Sequence, residues 1–426
     1  MRRAVVVLAL LLGLPATAAA APPWSAPRDV SRPHTFIDDL SIAFVPSGAG
    51  LIGWRMQDGA GAGARSGESV AARSAAGQLA APHPAPRGLT GDILLFGTSL
   101  AAVALVRPVG SNRDPRSELR VALGRTTSGA FGPSRRVVRH PRIAPPAFAG
   151  NARGDLALAW FEDRGTADDR VEVALRRADH AFGAPLRLAT GRVRSVSVAV
   201  GPRGDVLVAW DARGRIRTRL RRAGRRSFGR AETLRSSPTF FAALHTAVAS
   251  SGRAYVAWAA QRLTEGGDRG PVTYEAAVRP ARAARFRRAQ RLERLGSDRQ
   301  AGVLDLALTG HGNAVVAWTG ERVRAAETDA SGRFGAPRDL SRSGAALTDV
   351  AAAPDGARVA VWTAGSLVQA AYAAPGAPFG PPEDVSAGGE ADAARAAFPR
   401  AGAQPVVVWR THRPGGTNVQ EAARTG

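Results

Sequence analysis

Three arginines are the residues best suited to hold an anion. Arg55, Arg107 and Arg410 each follow a short apolar segment, at positions that correspond in three repeated units of the chain. A guanidinium group binds carboxylate, sulfate or phosphate through two parallel hydrogen bonds, so three converging groups would bind one anionic group strongly. Chance clustering is the alternative, because arginine is abundant in this chain.

Other polar residues follow the same apolar segments and could complete such a ligand site. The further candidates for ligand binding are Asn112, Arg113, His412, Glu162 and Asp163. The two acidic residues could pair with the arginines, bind a cation or simply be solvated.

A second group of arginines alternates with uncharged residues. In a β-strand such alternation places every charged side chain on one face. The group predicts a patch for a polyanion such as an anionic cell-wall polymer, lipid headgroups or nucleic acid, with a solvated basic rim as the alternative. Aromatic residues are not interleaved, so single-stranded nucleic acid is not the expected ligand. The patch comprises Arg215, Arg217, Arg219, Arg221, Arg225 and Arg226.

A repeated unit must position all of these residues. One anchor, of the form Phe-Gly-x-Pro, recurs every 45 to 58 residues from Trp24 to Phe379. A second anchor is an apolar segment ending in tryptophan, as at Trp318 and Trp362. The two series interleave as eight units, with Val106 in the tryptophan position of the second. Self-similarity at such a period indicates a repeat architecture.

Each unit contains short, turn-bounded segments typical of strands, and no sustained helical period is found in the mature chain. We therefore predict an all-β fold, a β-propeller of eight four-stranded blades, with seven blades as the alternative if the second unit is irregular. The last unit lacks a fourth strand, and residues 24–31 precede the first unit. The ring is predicted to close when this N-terminal strand completes the last blade.

The connections after the tryptophan segments differ in length. They are long in units eight, one, two and three, which are neighbours in a closed ring, and also in unit five. Length variation on one face is typical of a binding surface built on a scaffold, and neutral drift is the alternative.

Composition limits the chemistry that is available. The chain has 426 residues, 45% of them hydrophobic, and no cysteine, so neither disulfides nor thiolate metal sites can form. The seven histidines are scattered, and we predict no metal and no cofactor. The net charge is +23, and all 58 basic residues are arginine. Codon bias in a GC-rich genome or an anion-binding surface would each explain this excess.

The N-terminus predicts export. Arg2 and Arg3 precede an apolar run over residues 4–14 and a small-residue tract ending at Ala21. This order is typical of a secretory signal peptide, here residues 1–21, cleaved near Ala20 or Ala21. We expect residues 22–426 to form a single secreted propeller domain without a transmembrane segment, and to be monomeric.

The segment from Thr328 to Phe334 looks like a degraded Asp box, Ser-x-Asp-x-Gly-x-x-Trp. The chain thus resembles secreted bacterial β-propellers of the sialidase and Asp-box type. Sialidases use an arginine triad, a Tyr–Glu nucleophile pair and an acidic proton donor, so the resemblance implies that the three arginines above correspond to the triad. The only tyrosines, Tyr255, Tyr274 and Tyr372, fall inside predicted strands, away from the long connections.

These observations lead to two predictions of function. The first is a secreted, non-catalytic propeller that acts as a binding or interaction scaffold for anionic glycans, cell-wall or cell-surface polymers, or a protein partner. The alternative is a sialidase-like glycoside hydrolase.

Overall fold

The computed structural model describes residues 23–59, 65–86, 94–111, 114–126, 128–164, 168–212, 214–236, 239–263 and 269–425. Within these ranges the secondary structure is entirely β, in eight four-stranded antiparallel sheets. No described helix could cross a membrane. The predicted signal peptide, residues 1–21, and the candidates Asn112 and Arg113 lie outside the described residues.

Each sheet is one blade, whose innermost strand is called a and whose outermost strand is called d. The first four blades contain, in order a to d, Phe36–Phe44 (β2), Gly50–Asp58 (β3), Arg65–Arg73 (β4) and His83–Pro84 (β5); Leu94–Phe96 (β6), Leu100–Ser111 (β7), Asp114–Arg125 (β8) and Arg135–His140 (β9); Ala147–Gly150 (β10), Leu156–Glu162 (β11), Arg170–Arg176 (β12) and Leu186–Thr190 (β13); and Val193–Val200 (β14), Val206–Ala212 (β15), Arg215–Arg221 (β16) and Glu232–Ser236 (β17).

The remaining blades follow the same order. They contain Thr239–Val248 (β18), Ala254–Leu263 (β19), Arg269–Arg279 (β20) and Gln290–Arg294 (β21); Leu304–Leu308 (β22), Ala314–Thr319 (β23), Val323–Glu327 (β24) and Arg338–Asp339 (β25); Ala346–Ala352 (β26), Arg358–Ala364 (β27), Leu367–Ala373 (β28) and Glu383–Asp384 (β29); and Glu390–Ala397 (β30), Val406–Arg413 (β31) and Gly416–Ala423 (β32), completed by Arg28–Asp29 (β1). Eight blades are thus confirmed.

The N-terminal strand closes the ring as predicted. Strand β1 pairs antiparallel with β32, so that Arg28 lies opposite Glu421. Trp24 is buried, and its indole N–H donates to Glu383 at 2.9 Å. Blade eight therefore combines strands from both ends of the chain.

Tryptophans at the ends of the b strands fill the gaps between blades. Each packs against the preceding blade, in a cluster whose other members are mostly alanine, valine and leucine. A large ring fits there because its neighbours are small, and its burial stabilises both sheets at once. The buried tryptophans of this series are Trp54, Trp160, Trp210, Trp258, Trp318, Trp362 and Trp409.

Blade two departs from the predicted register by one residue. Leu105, not Val106, packs in the cluster between blades one and two, at the place that tryptophan takes elsewhere. Val106 faces the opposite side, towards blade three. A shift of one residue moves every side chain to the other face of a strand, so the sequence alignment of this blade is corrected.

The Phe-Gly anchor has a backbone role. The glycine N–H donates to a carbonyl of strand c: Gly335 to Glu327 at 2.9 Å and Gly380 to Tyr372 at 2.8 Å. In blade five Arg287 makes the same bond to Val278 at 2.8 Å. The anchor therefore marks where strand d joins its blade, and a side chain is tolerated there.

Candidate functional site

Two of the predicted arginines occupy equivalent places and are already paired. Arg55 lies 2.7 Å from both Asp38 and Asp39, which belong to the neighbouring strand a. In the neighbouring blade eight, Arg410 lies 2.6 Å from Asp392 of the same blade. Each guanidinium is thus balanced by carboxylates of its own blade.

These pairs form one network between blades eight and one. Arg410 also donates to the carbonyl of Ile37 at 2.5 Å. The hydrogen bond from Arg55 lowers the pKa of Asp38, and the charge of Arg410 adds to the effect. Arg107 is exposed, and the corrected register of blade two places it one residue beyond the position of the other two arginines. The structure therefore brings Arg55 and Arg410 together but not all three.

The acidic candidates lie in another environment. Glu162 is fully buried and lies 3.2 Å from Arg164 and 3.8 Å from His140. Asp163 lies 3.5 Å from Arg142. These two carboxylates thus pair within their own part of the ring.

The imidazole of His140 donates a hydrogen bond to Glu172 at 2.7 Å, which raises the pKa of His140 despite partial burial. The remaining candidate, His412, lies 3.6 Å from Asp392, beside the arginine network.

The tyrosines take part in packing. Tyr255 donates to the carbonyl of Gly312 at 2.7 Å. Tyr274 stacks on Trp318 with ring centroids 5.8 Å apart, and burial raises its pKa to about 12. None of the three tyrosines therefore provides a nucleophile beside the arginines.

The innermost strands bring together chemical groups that sequence analysis missed. In each blade, one residue of strand a stands opposite the residue that precedes the tryptophan of strand b. Four consecutive blades, five to eight, carry reactive side chains at this position. These residues, here called the axial layer, are His245, Asp305, Asp349 and Arg395.

The equivalent positions elsewhere are small. They are Ser41 in blade one, Ala147 in blade three and Ser197 in blade four, while that of blade two lies outside the described residues. The layer is therefore asymmetric around the ring.

Members of the axial layer contact one another in sequence. His245 Nδ1 lies 3.3 Å from Asp305 Oδ1. Asp349 lies beside Asp305, whose carboxylate acts on it electrostatically. Burial raises the pKa of Asp349 well above its ordinary value, and the neighbouring carboxylate of Asp305 raises it further. Burial and the neighbouring charge therefore both favour the protonated form of Asp349.

Backbone groups of the next blade fix these carboxyl groups. Asp305 accepts from the N–H of Val350 at 3.1 Å, and Asp349 accepts from the N–H of Ala396 at 2.7 Å. Arg395 donates to the carbonyl of Thr348 at 3.1 Å. Each interaction crosses a blade boundary, which ties the positions of the four groups to the closure of the ring.

The axial layer lines a cavity of about 580 Å³ on the propeller axis. The opposite wall is apolar and includes Ile42, Leu94 and Phe148. The side chain of His245 is 40% exposed and that of Asp305 21% exposed, so both are open to the cavity. A wall with acid–base groups facing an apolar wall suits a ligand that has polar edges and apolar faces, as a sugar ring does.

A sequence signal for this layer exists in the repeat itself. Aligning strand a of each unit on the tryptophan that follows it would have placed the four residues of the axial layer at one position of the repeat. The sequence candidates follow the tryptophan segments instead, so this layer was missed.

The alternating arginines lie on one face of β16, as predicted. Their side chains are exposed or partly exposed, while Ile216, Thr218 and Leu220 between them are buried. Arg221 faces blade three, where burial and the charge of Arg177 lower its pKa. The other members of the predicted patch, in the c–d turn, are exposed.

Comparison with known proteins gives structural matches only. No family model and no curated protein matches the chain. A PL25 ulvan lyase, a polysaccharide lyase, is 10% identical over 80% of this chain and 92% of its own, with a TM-score of 0.49. Another polysaccharide lyase is 10% identical over 92% and 90%, with a TM-score of 0.47. A Hadza microbial sialidase is 11% identical over 72% and 73%, with a TM-score of 0.38. The eight-bladed structure confirms the resemblance to sialidase-like propellers as one of fold.

The first prediction of function is corrected by these findings. A non-catalytic binding scaffold is wrong, because the similar structures are named as polysaccharide lyases and a sialidase, which are enzymes acting on glycans. Of the two predictions, the sialidase-like alternative agrees better with the names of these structures, and a glycan partner is compatible with the same findings.

Proposed function

We propose that the protein is an enzyme that cleaves an anionic glycan by acid–base chemistry in the axial cavity. The observation that carries this proposal is the axial layer, in which an imidazole, two carboxyl groups and a guanidinium occupy equivalent positions of four consecutive blades. Several titratable groups that face one cavity, one of them with a raised pKa, are typical of a catalytic site.

His245 is the proposed base. Histidine is the side chain most often used for general acid–base catalysis. Asp305, at 3.3 Å from Nδ1, orients the ring and leaves Nε2 for the substrate. The oriented imidazole then removes a proton from a sugar carbon.

The other two groups complete the chemistry. Asp349, whose raised pKa favours the protonated form, supplies a proton to the leaving oxygen. Arg395, fixed by the carbonyl of Thr348, presents a cation to the anionic group of the substrate.

Elimination fits this arrangement better than hydrolysis. Glycoside hydrolases place their two carboxyl groups about 5–5.5 Å or 6.5–9.5 Å apart, so that a sugar carbon or a water fits between them. Here Asp305 accepts from the N–H of Val350, the residue next to Asp349, so the two carboxyl groups are neighbours in one wall of the cavity and do not face each other across a sugar. In elimination His245 takes the proton beside a uronate carboxylate, the electron pair forms a C=C bond, and the glycosidic C–O bond breaks as its oxygen takes a proton.

The products of a polysaccharide panel test the proposal. Polygalacturonate and chondroitin sulfate are incubated with the protein, with neutral dextran as a control. Elimination yields an ultraviolet-absorbing unsaturated uronate for every new reducing end, whereas sialidase-like or other hydrolysis yields no such absorbance. Absence of any cleavage would contradict the proposal.

His245→Gln is expected to lower the rate at least about a hundredfold, the typical contribution of a positioned proton-transfer group. Ser197→Ala is the matched control, because Ser197 holds the equivalent position in blade four, outside the axial layer. Equal activity of the two variants would rule out His245 as the base.

Secretion is a separate proposal that rests on the N-terminal sequence alone. Expression in a bacterial host should yield extracytoplasmic protein that begins near Ala21 or Pro22. Full-length protein in the cytoplasm would contradict it.

A further inference from the structure

A second concave surface lies between blades four and five, near their c–d turns. This basic groove has a volume of about 970 Å³. Arginines from both blades line it, and Glu232 is the single carboxylate among its described lining residues. The groove lies between outer strands, whereas the axial cavity is lined by strands a, so the two are separate.

Two arginines in the groove are held close together by backbone carbonyls. Arg222 donates to the carbonyls of Gly252 at 3.3 Å and Ala283 at 3.4 Å. Arg279, only 12% exposed, donates to Ala283 at 3.0 Å. Burial and the charge of Arg222 lower the pKa of Arg279, although Glu232 at 3.7 Å opposes the effect. Like charges fixed side by side would be stabilised by a bound anion.

Four further arginines surround this pair and are exposed. They are Arg225, Arg230, Arg285 and Arg288. Unlike Arg410, which is held by Asp392, none of them makes an ion pair with a carboxylate of the described chain. Their guanidinium groups are therefore available to a ligand.

We propose that the basic groove binds a chain of an anionic polysaccharide, at a site separate from the axial cavity. Charge complementarity supplies the attraction, and Glu232 favours a glycan over DNA. A sugar hydroxyl can donate to a carboxylate, whereas a DNA phosphate backbone has no donor and would be repelled. The rings of Phe228 and Phe286 pack into the cores beside the groove, which leaves them poorly placed to stack on bases. The proposal does not depend on the proposed function, because the variants compared for binding all keep the axial layer unchanged.

Affinity for immobilised chondroitin sulfate tests this proposal. We compare the wild type with a variant in which the four exposed arginines Arg225, Arg230, Arg285 and Arg288 are replaced by glutamine. Each exposed ion pair contributes modestly, so the loss of four should lower the affinity about tenfold and weaken its dependence on salt. Because these side chains are exposed, the melting temperature should not change.

A matched control separates the groove from total charge. Glutamine replaces four exposed arginines elsewhere, which removes the same charge. The control set is Arg187, Arg192, Arg342 and Arg400.

The control should bind chondroitin sulfate as the wild type does. Equal loss in both variants, or no loss in the groove variant, would overturn the proposal. Single-stranded DNA bound as tightly as chondroitin sulfate, and lost with the same four residues, would assign the groove to nucleic acid instead. Loss of chondroitin sulfate binding without loss of glycan cleavage on short substrates would support two separate sites.

Discussion

At the scale of single residues, buried polar side chains differ in whether they have a hydrogen-bond partner. Trp258 donates its indole N–H to Glu275 at 3.0 Å, and Trp318 and Trp362 also have partners. The same group finds no partner among the described residues in Trp54, Trp160, Trp210 and Trp409. Asp211, which follows Trp210, is 1% exposed, and neither carboxylate oxygen has a well-formed hydrogen bond within the described chain. Burial raises its pKa to about 6, against the opposing charge of Arg194. Such a group costs stability when it is ionised.

Replacement of Asp211 by asparagine should therefore stabilise the protein at neutral pH. The pKa of Asp211 is about 6 in the folded state and 3.8 ordinarily. Between pH 3.8 and about 6 the folded protein therefore binds a proton that the unfolded chain does not. Stability is fully present below pH about 4 and falls as the pH rises through about 6, by about 3 kcal/mol in total.

Urea denaturation at pH 4, 6 and 8 measures this effect. Asp211→Asn should remove most of the fall, and Asp298→Asn, at a carboxylate that is 77% exposed, should not. An unchanged pH dependence in Asp211→Asn would show that this carboxylate does not carry the effect.

At the scale of strands and turns, the repeat tolerates substitution at positions that contribute only a backbone hydrogen bond. The Phe-Gly anchor positions an N–H, as Arg287 demonstrates in blade five. The a–b turn of blade six differs, because a Cβ at Gly310 would lie 2.0 Å from the carbonyl oxygen of Pro354 in blade seven. Contact between successive blades, rather than local turn geometry, requires glycine there.

Two glycine substitutions should accordingly have different effects. Gly310→Ala is expected to cost about 1–3 kcal/mol, since neighbouring turns must move apart. Gly335→Ala places its Cβ 3.7 Å from the carbonyl oxygen of Glu327, an ordinary contact, and should cost less than about 0.5 kcal/mol. Denaturant midpoints compare them; equal costs would contradict the assigned roles.

The strands and their packing also explain which features of the fold and of the candidate site could be predicted from the sequence. The tryptophan and Phe-Gly anchors recur because each blade has the same packing and hydrogen-bonding needs, so blade number and ring closure could be derived. Blade two was misaligned because Leu105 replaces tryptophan and both faces of β7 are apolar, which hides a slip of one residue. The axial layer was missed because each blade supplies a single polar residue. Only the closed ring brings His245 and Asp305 together.

At the scale of the whole molecule, stability depends on the blade that both ends of the chain complete. Strand β1 supplies the outer edge of blade eight, and Asp29 accepts from Asn418 and Gln420, each at 2.8 Å. Without β1, strand β32 would present an unpaired edge.

Trp24→Ala should lower the free energy of unfolding by about 3–5 kcal/mol, as removal of a buried aromatic ring does. Deletion of residues 23–31 should cost more and promote self-association through the exposed edge. Chemical denaturation and size-exclusion chromatography measure the two effects. A monomeric, fully stable deletion variant would contradict a closing role for β1.

The same pairing determines how the ring responds to mechanical force. Trp24 and Arg424 form a bridge at the end of an antiparallel pair. Tension applied between residues 23 and 425 would peel β1 from β32 one bond at a time, which requires little force. Tension between two interior blades would instead load a whole packed interface in shear. The protein is thus mechanically weak along one direction and resistant along the others, although it is held together by the same kind of bonds throughout.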